Sequence, residues 1–189
     1  QLLDARQAAH DAIDEAAAAA EDAINKAAEG YENIEPVKEI KAQMADDIDT
    51  GHKMIDGEIF VEYIGETRQN IIFAINHRKQ QFVKDIQDAI TDFTTSQGNA
   101  INEIKGIATN AKNQIDALVA PKTHKDQAKA EIDKAVAEAE TTITNATSED
   151  DINEAKNTAE NKIKQQLANI QTYSKQLLDA RQAAHDAID

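Results

Sequence analysis

Five histidines, at positions 10, 52, 77, 124 and 185, are the side chains best suited to proton transfer or metal ligation in this chain. Their spacing supports neither. Zinc enzymes place two histidines one helical turn apart, as His-x-x-x-His or His-Glu-x-x-His, and no such pair occurs. His10, His52, His77, His124 and His185 therefore read as scattered, solvated residues on helix surfaces. Asp47, Asp49, Gly51 and Glu58 match positions 1, 3, 5 and 12 of a calcium loop in spacing. Position 5 lacks a side-chain oxygen, and position 6, where the sharp turn needs glycine, is His52. An acidic helix end is the better account. Cysteine is absent, which removes thiol catalysis, disulfides and Cys-based zinc sites together without fixing the compartment. No Ser-His-Asp arrangement, phosphate-cradling glycine loop or cleft-bound carboxylate pair stands out. No catalytic residue, cofactor or metal is expected, and an enzyme is not the expectation.

One cluster remains. Phe60, Tyr63 and Phe73 gather in a chain whose aromatic content is only 4%, and exposed aromatics can anchor a protein partner. The preferred account is that they plug the end of a helical bundle, where alanine-rich seams leave volume to fill. The run Ala16–Ala20 between Glu15 and Glu21 likewise reads as a tight helix contact.

Composition says what must position these residues. Hydrophobic residues make up 41%, dominated by alanine and isoleucine, with no Trp, six Gly and two Pro, a mixture that favours helix and starves strands and turns. Twenty basic against thirty-five acidic residues give a net charge of -15, which repels phosphate backbones and anionic lipid, so neither nucleic acid nor a membrane surface is an expected partner. No apolar run approaches the roughly 18 residues needed to span a bilayer. Any export or anchoring signal is expected outside this stretch.

The chain repeats itself. QLLDARQAAHDAID fills residues 1–14 and returns at residues 176–189, so the sequence is one period of 175 residues plus the start of the next. The apolar positions explain where the period falls. Ile71, Ile75, Phe82, Ile86, Ala89, Phe93, Ala100, Ile104, Ile107, Ala111, Ile115 and Leu118 form a heptad-like seam closed by Pro121, which predicts a helix over about 66–119. Ala128, Ile132, Ala135, Val136, Ala139, Ile143 and Ala146 predict a second over about 123–146. Ser148 followed by Asp151 reads as an N-cap with an acidic residue at N3. A third seam starts there with Ile152, Ala155, Ala159, Ile163, Leu167, Ile170, Leu177, Ala184 and Ile188. The repeat carries it on through Leu3, Ala9, Ile13, Ala16, Ala20, Ile24 and Ala27 to Gly30. In an array, one helix of about 56 residues would cross the boundary between periods, roughly 84 Å at helical rise.

Residues 36–65 are ambiguous. Pro36 suits the first turn of a helix, and Val37, Ile40, Met44 and Ile48 follow at helical spacing. IDGEIFVEYIG then favours strand locally, and an Asp-Gly hairpin is the alternative there. A helix to about 57 or 63 with a turn before 66 is preferred, because an unbroken helix over 36–119 would leave an odd number of antiparallel segments per period. Only an even count advances, by roughly 95 Å per period. A fainter half-period agrees: Pro36 and Pro121 lie 85 apart, as do KQQF at 79–82 and KQQL at 164–167.

The expected fold is all-α, with elongated tandem three-helix bundles, spectrin-like, joined by shared long helices. The first bundle is expected over 1–90 and the second over 91–175, with 176–189 beginning the next repeat. The segments HKDQAKAEIDKAVAEAETTITNATSEDDINEAKNTAENKIKQQL and DARQAAHDAIDEAAAAAEDAINKA resemble helical repeats of large cell-wall-anchored surface proteins of Gram-positive bacteria. These are the extracellular-matrix-binding-type giant proteins of staphylococci, streptococci and lactobacilli. The resemblance rests on the A-x-x-x-I and E-A-K-x-x-A-E-x-K-I texture and covers about half the chain, residues 50–75 departing from it. It implies a secreted, wall-anchored protein whose repeats form a stalk behind an adhesive region, with neighbouring identical repeats as partners. Some relatives bind fibronectin, albumin or other host proteins, so a host matrix or serum protein is the alternative partner.

Overall fold

The computed structural model describes residues 1–188. Among them every regular element is an α-helix, in five segments: α1 (Leu2–Ala27), α2 (Glu35–Gly57), α3 (Val61–Ala117), α4 (Lys122–Thr144) and α5 (Glu149–Asp186). Two compact units divide between Phe93 and Thr94. The first holds α1, α2 and the N-terminal part of α3; the second holds the rest of α3, α4 and α5.

Each helix buries one stripe. On α1 it is Ala9, Ile13, Ala17, Ala20 and Ile24; on α4, Ala128, Ile132, Ala135, Ala139 and Ile143; on α5, Ile152, Ala155, Ala159, Ile163, Ile170 and Ser174. Isoleucines recur one or two turns apart with alanine between them. Each buried isoleucine is worth roughly 1.5–3 kcal/mol in transfer from water, and the alanines let helices approach. At Gly51 an added Cβ would stand 2.7 Å from Ile71 Cγ2 on α3.

Polar contacts fix the register in each unit. In the first, Arg78 on α3 faces Asp47 on α2. Nη1 donates to Oδ1 at 3.1 Å, whereas Oδ2, although 3.0 Å from Nε, accepts no well-aligned bond. In the second, Lys129 on α4 pairs with Asp116 on α3 at 2.7 Å, Lys156 on α5 with Glu103 on α3 at 3.1 Å, and Lys162 on α5 with Glu138 on α4 at 2.6 Å. Thus α3, α4 and α5 touch one another pairwise. Exposed pairs of this kind contribute about 0–1 kcal/mol each, so the apolar stripes carry most of the stability.

The helix ends follow from local chemistry. Gly30 takes a φ of 82° in the turn after α1, a left-handed conformation that a side chain would strain. Pro36 sits in the first turn of α2, where its missing N–H costs nothing. Ser148 and Asp151 form a reciprocal capping box: the Asp151 N–H donates to Ser148 Oγ and the Ser148 N–H to Asp151 Oδ2, both at 3.1 Å. Gln97 on α3 donates through Nε2 to the Ile143 carbonyl at 2.8 Å, satisfying one orphan acceptor at the end of α4.

Several expectations are corrected. The third helix begins at Val61 rather than near 66, the connection from α2 is only residues 58–60, and no hairpin forms around IDGEIFVEYIG. Ile64 is the reason. It is 3% exposed and lies one heptad before Ile71, so burial in the seam outweighs the local strand preference of its neighbours. The stripe also drifts by a residue in places: Ala17, Ala28 and Ala108 are buried where the spacing predicts Ala16, Ala27 and Ile107. An ideal helix turns 3.6 residues against a heptad's 3.5, so a seam read as strict heptads slips. Leu3, Ala184 and Ile188, assigned to the seam, are exposed. Of the helix expected to run through the return of the period, the part as far as Asp186 is present, α5 passing residue 176 unbroken.

Candidate functional site

The aromatic residues do not plug a bundle end. Phe60, Tyr63 and Phe73 are all exposed, and Ile55 and Ile64 fill the interior beside the α2–α3 connection. Phe60 and Tyr63 meet edge to face, with ring centroids 5.8 Å apart. Phe73 instead lies against His77, at 6.2 Å. Ten residues of α3 separate Tyr63 from Phe73, about 15 Å of helix, so the three rings form a pair and a single. Met54, Ile59 and Val61 are exposed around the pair, making an apolar surface at this connection.

The calcium-like spacing has no loop to act in. Asp47, Asp49 and Gly51 lie inside α2, where Asp47 is taken by Arg78, Asp49 by Lys53, and Gly51 is buried. Glu58 accepts from the Phe60 N–H at 3.4 Å. Among the described residues, no group of three or more His, Cys, Asp or Glu side chains is placed to hold a metal ion.

The histidines are not scattered. His10 on α1 and His52 on α2 stack with ring centroids 4.9 Å apart, and their Nδ1 atoms approach to 2.6 Å. His10 Nε2 lies 2.9 Å from Asp56 Oδ1, and His52 Nε2 lies 3.1 Å from Asp14 Oδ1. The result is a four-residue chain, Asp56–His10–His52–Asp14, sewing α1 to α2. At the Nδ1–Nδ1 contact one ring donates and the other accepts, so the pair contributes one hydrogen bond between α1 and α2.

One turn toward the N-terminus, Arg6 donates to the Glu58 carbonyl through Nε at 3.2 Å and Nη2 at 2.7 Å, closing the C-terminal end of α2. Arg6, His10 and Asp14 are spaced by four, so they share one edge of α1 beside buried Ala9 and Ile13. Sequence reasoning missed this seam because His10 and His52 are 42 residues apart. One signal was present: each histidine follows a residue of a buried stripe, Ala9 or Gly51, and stands three before its next isoleucine, Ile13 or Ile55. His124 also has a partner, stacking on Tyr173 at 4.4 Å in the second unit.

A cavity of about 560 Å³ lies between α4 and α5 and is lined by Ala135, Ala139, Ala155 and Ala159, with the Glu138–Lys162 pair beside it. It is the space that facing alanines leave, rimmed by Thr141, Thr142, Asp151, Glu154 and Thr158. Among the described residues no helix is long and apolar enough to cross a membrane. No protein-family description, curated protein or solved structure matches the chain.

Proposed function

We propose that this chain is a structural spacer, one period of the stalk of a bacterial surface adhesin. Tandem three-helix bundles, spectrin-like and joined by shared long helices, project a distal binding region from a Gram-positive cell wall. The stalk is extracellular and wall-anchored, its partners being neighbouring identical repeats. The observation that supports this is the unbroken course of α5 across residue 176, where the sequence period returns. A helix running through that point transmits bending stiffness from one copy to the next, which a flexible linker does not. The net charge of -15 keeps parallel stalks apart.

Small-angle scattering on chains of two and four periods tests the proposal. A compact particle's radius of gyration grows by about 1.3-fold when its length doubles, whereas a rod's nearly doubles. Growth near the lower value overturns the spacer. A second reading, that the module itself binds a host matrix or serum protein, is favoured by the exposed apolar surface of Met54, Ile59, Phe60, Val61 and Tyr63. Under it, the isolated chain recovers one protein from serum or matrix extract, and F60A/Y63A loses it.

A further inference from the structure

The buried stripes of α5 and α1 belong to one seam. Ser174 is the last buried residue of α5, and the seam positions that follow it, at intervals of three and four, are 177, 181 and 184. In the repeat these are Leu2, Arg6 and Ala9, and Ala9 opens the buried stripe of α1. Leu2 is half-buried in the first unit and its repeat, Leu177, is half-buried in the second, whereas the adjacent Leu3 and Leu178 are exposed. Each unit thus supplies part of the cover for one repeat position. Chain direction shows what stands beside it. Lys162 pairs with Glu138 and Tyr173 stacks on His124, so the turn at 118–121, which precedes α4, lies past the level of Tyr173. On α1, Asp14 meets His52, His10 meets Asp56 and Arg6 holds the Glu58 carbonyl, so the residues after Glu58 lie past Arg6 toward the start of the helix. Tyr173 and Arg181, the repeat of Arg6, are eight residues apart, about 12 Å of helix.

We propose that in tandem periods the α3–α4 turn of one period packs on the α2–α3 connection of the next, Val119 against the Phe60–Tyr63 pair, the two closing over the shared leucine. This inference rests on the spacer reading, which supplies the continuous helix, and adds a tertiary contact to it. Register identifies the occupant: turn and connection extend toward each other along one face of the same helix, so each is the other's nearest surface. Their chemistry matches. Residues 118–121 read Leu-Val-Ala-Pro without a charge, and Val119 is 43% exposed. The connection exposes Ile59, Phe60, Val61 and Tyr63. Turns left to water are expected to be polar, and contiguous exposed apolar surface marks an interaction site. The contact stiffens the junction beyond what one bare helix supplies, and it closes this surface to other partners in every interior period.

Disulfide trapping in a chain of two periods tests it, because the native sequence has no cysteine to interfere. V119C is placed in the first period and F60C in the second; both side chains are exposed, so neither substitution opens the core. The control exchanges them, with F60C in the first period and V119C in the second, where no junction joins the two positions. Under mild oxidation the expected result is an internal crosslink in ~10-fold excess over the control, from the raised effective concentration of thiols held together. Y63C serves as a second acceptor beside Phe60. Yields equal to the control with both acceptors, in a chain whose scattering is that of a rod, overturn the contact and leave the spacer reading standing. A compact particle without the excess overturns both. Crosslinks between chains in place of the internal one also overturn the contact, the surface then serving lateral pairing. So does a serum protein whose capture falls as much with F60A/Y63A in the second period as with the same pair in the first, because a covered surface is closed to it.

Discussion

Gly51 offers the sharpest test of how the first unit is packed. Glycine inside a helix costs roughly 0.5–1 kcal/mol relative to alanine, so Gly→Ala at an unobstructed helical site should stabilise by that amount. Gly65 on α3, in the same unit, is such a site, with nothing within 4 Å of an added Cβ. At Gly51 the added Cβ would stand 2.7 Å from Ile71 Cγ2, against a comfortable carbon–carbon separation of about 3.5–4.0 Å. Ile71 is β-branched, confined to one favoured rotamer in a helix, and 6% exposed, so it cannot swing clear into solvent. Either α2 and α3 separate or Ile71 leaves its rotamer, and overpacking of this kind costs roughly 1–3 kcal/mol. The clash outweighs the propensity gain, giving a net loss of about 1 kcal/mol for G51A and a gain of ~0.5–1 kcal/mol for G65A. Urea unfolding followed by circular dichroism reads both as opposite shifts in midpoint at unchanged slope. The double variant G51A/I71A should lose less than the sum of the singles, because removing Cγ2 removes the clash. A midpoint for G51A that rises as far as that for G65A would show that α2 and α3 do not meet at Ile71.

Three further outcomes follow from named contacts. I13A should destabilise by roughly 2–5 kcal/mol, while I188A, the same change in the same local sequence, should stay within ~0.5 kcal/mol in this chain; equal effects in thermal unfolding contradict their different burial. S148A should cost about 1 kcal/mol, with faster amide exchange in the first turn of α5. That cap is also pH-dependent: the Ser148 hydrogen bond, helped by the Thr147 and Ser148 backbone N–H groups, lowers the Asp151 carboxyl from its usual range. A depressed carboxyl contributes stability that is present above the ordinary aspartate range and lost as pH falls through the depressed value. D151N should therefore flatten the acid limb of α5 protection, and an unchanged limb counts against the cap. Finally, H10A and H52A should each destabilise the first unit, and the double variant should lose less than the sum of the two, because each removes the same α1–α2 contact; additive losses in urea unfolding refute the four-residue chain.

The helices were legible because their signals are local. Isoleucine and alanine at helical spacing, Pro36, Pro121, Gly30 and the Ser148–Asp151 pair each act within a turn or two of themselves, and α4 and α5 lie within a residue or two of where those signals put them. The α2–α3 connection was misplaced because Ile59, Phe60, Val61, Tyr63 and Ile64 all favour strand, and what decides their conformation is Ile64 entering a seam with Ile71. The exposure of Phe60, Tyr63 and Phe73 was missed for a related reason. Aromatic residues in an alanine-rich chain invite a packing role, but Ile55 and Ile64 already fill the interior there. The histidine seam was beyond local signals, because its members are brought together only when α1 folds back onto α2.

The C-terminal turns of α5 raise a separate question, since residues 176–186 are helical with no buried side chain to hold them. An isolated helix of this length is marginal in water, because nucleation fixes several residues for one hydrogen bond. Propagation is cheap by comparison. Once residues 149–174 are helical and anchored by Ile152, Ile163 and Ile170, each added residue gains one bond for one residue fixed. Continuity of the backbone, not burial, is then what keeps 176–186 in order. K175P tests this directly. Proline removes one i→i−4 bond, clashes with the preceding turn at about 3 kcal/mol, and separates residues 176–188 from their nucleus while leaving every apolar contact of the second unit in place. The expected outcome is loss of helical Cα shifts over 176–186 with those of 149–170 retained. If the last turns stay helical behind proline, something other than propagation orders them, and the physical basis for carrying helix across the return of the period disappears with it.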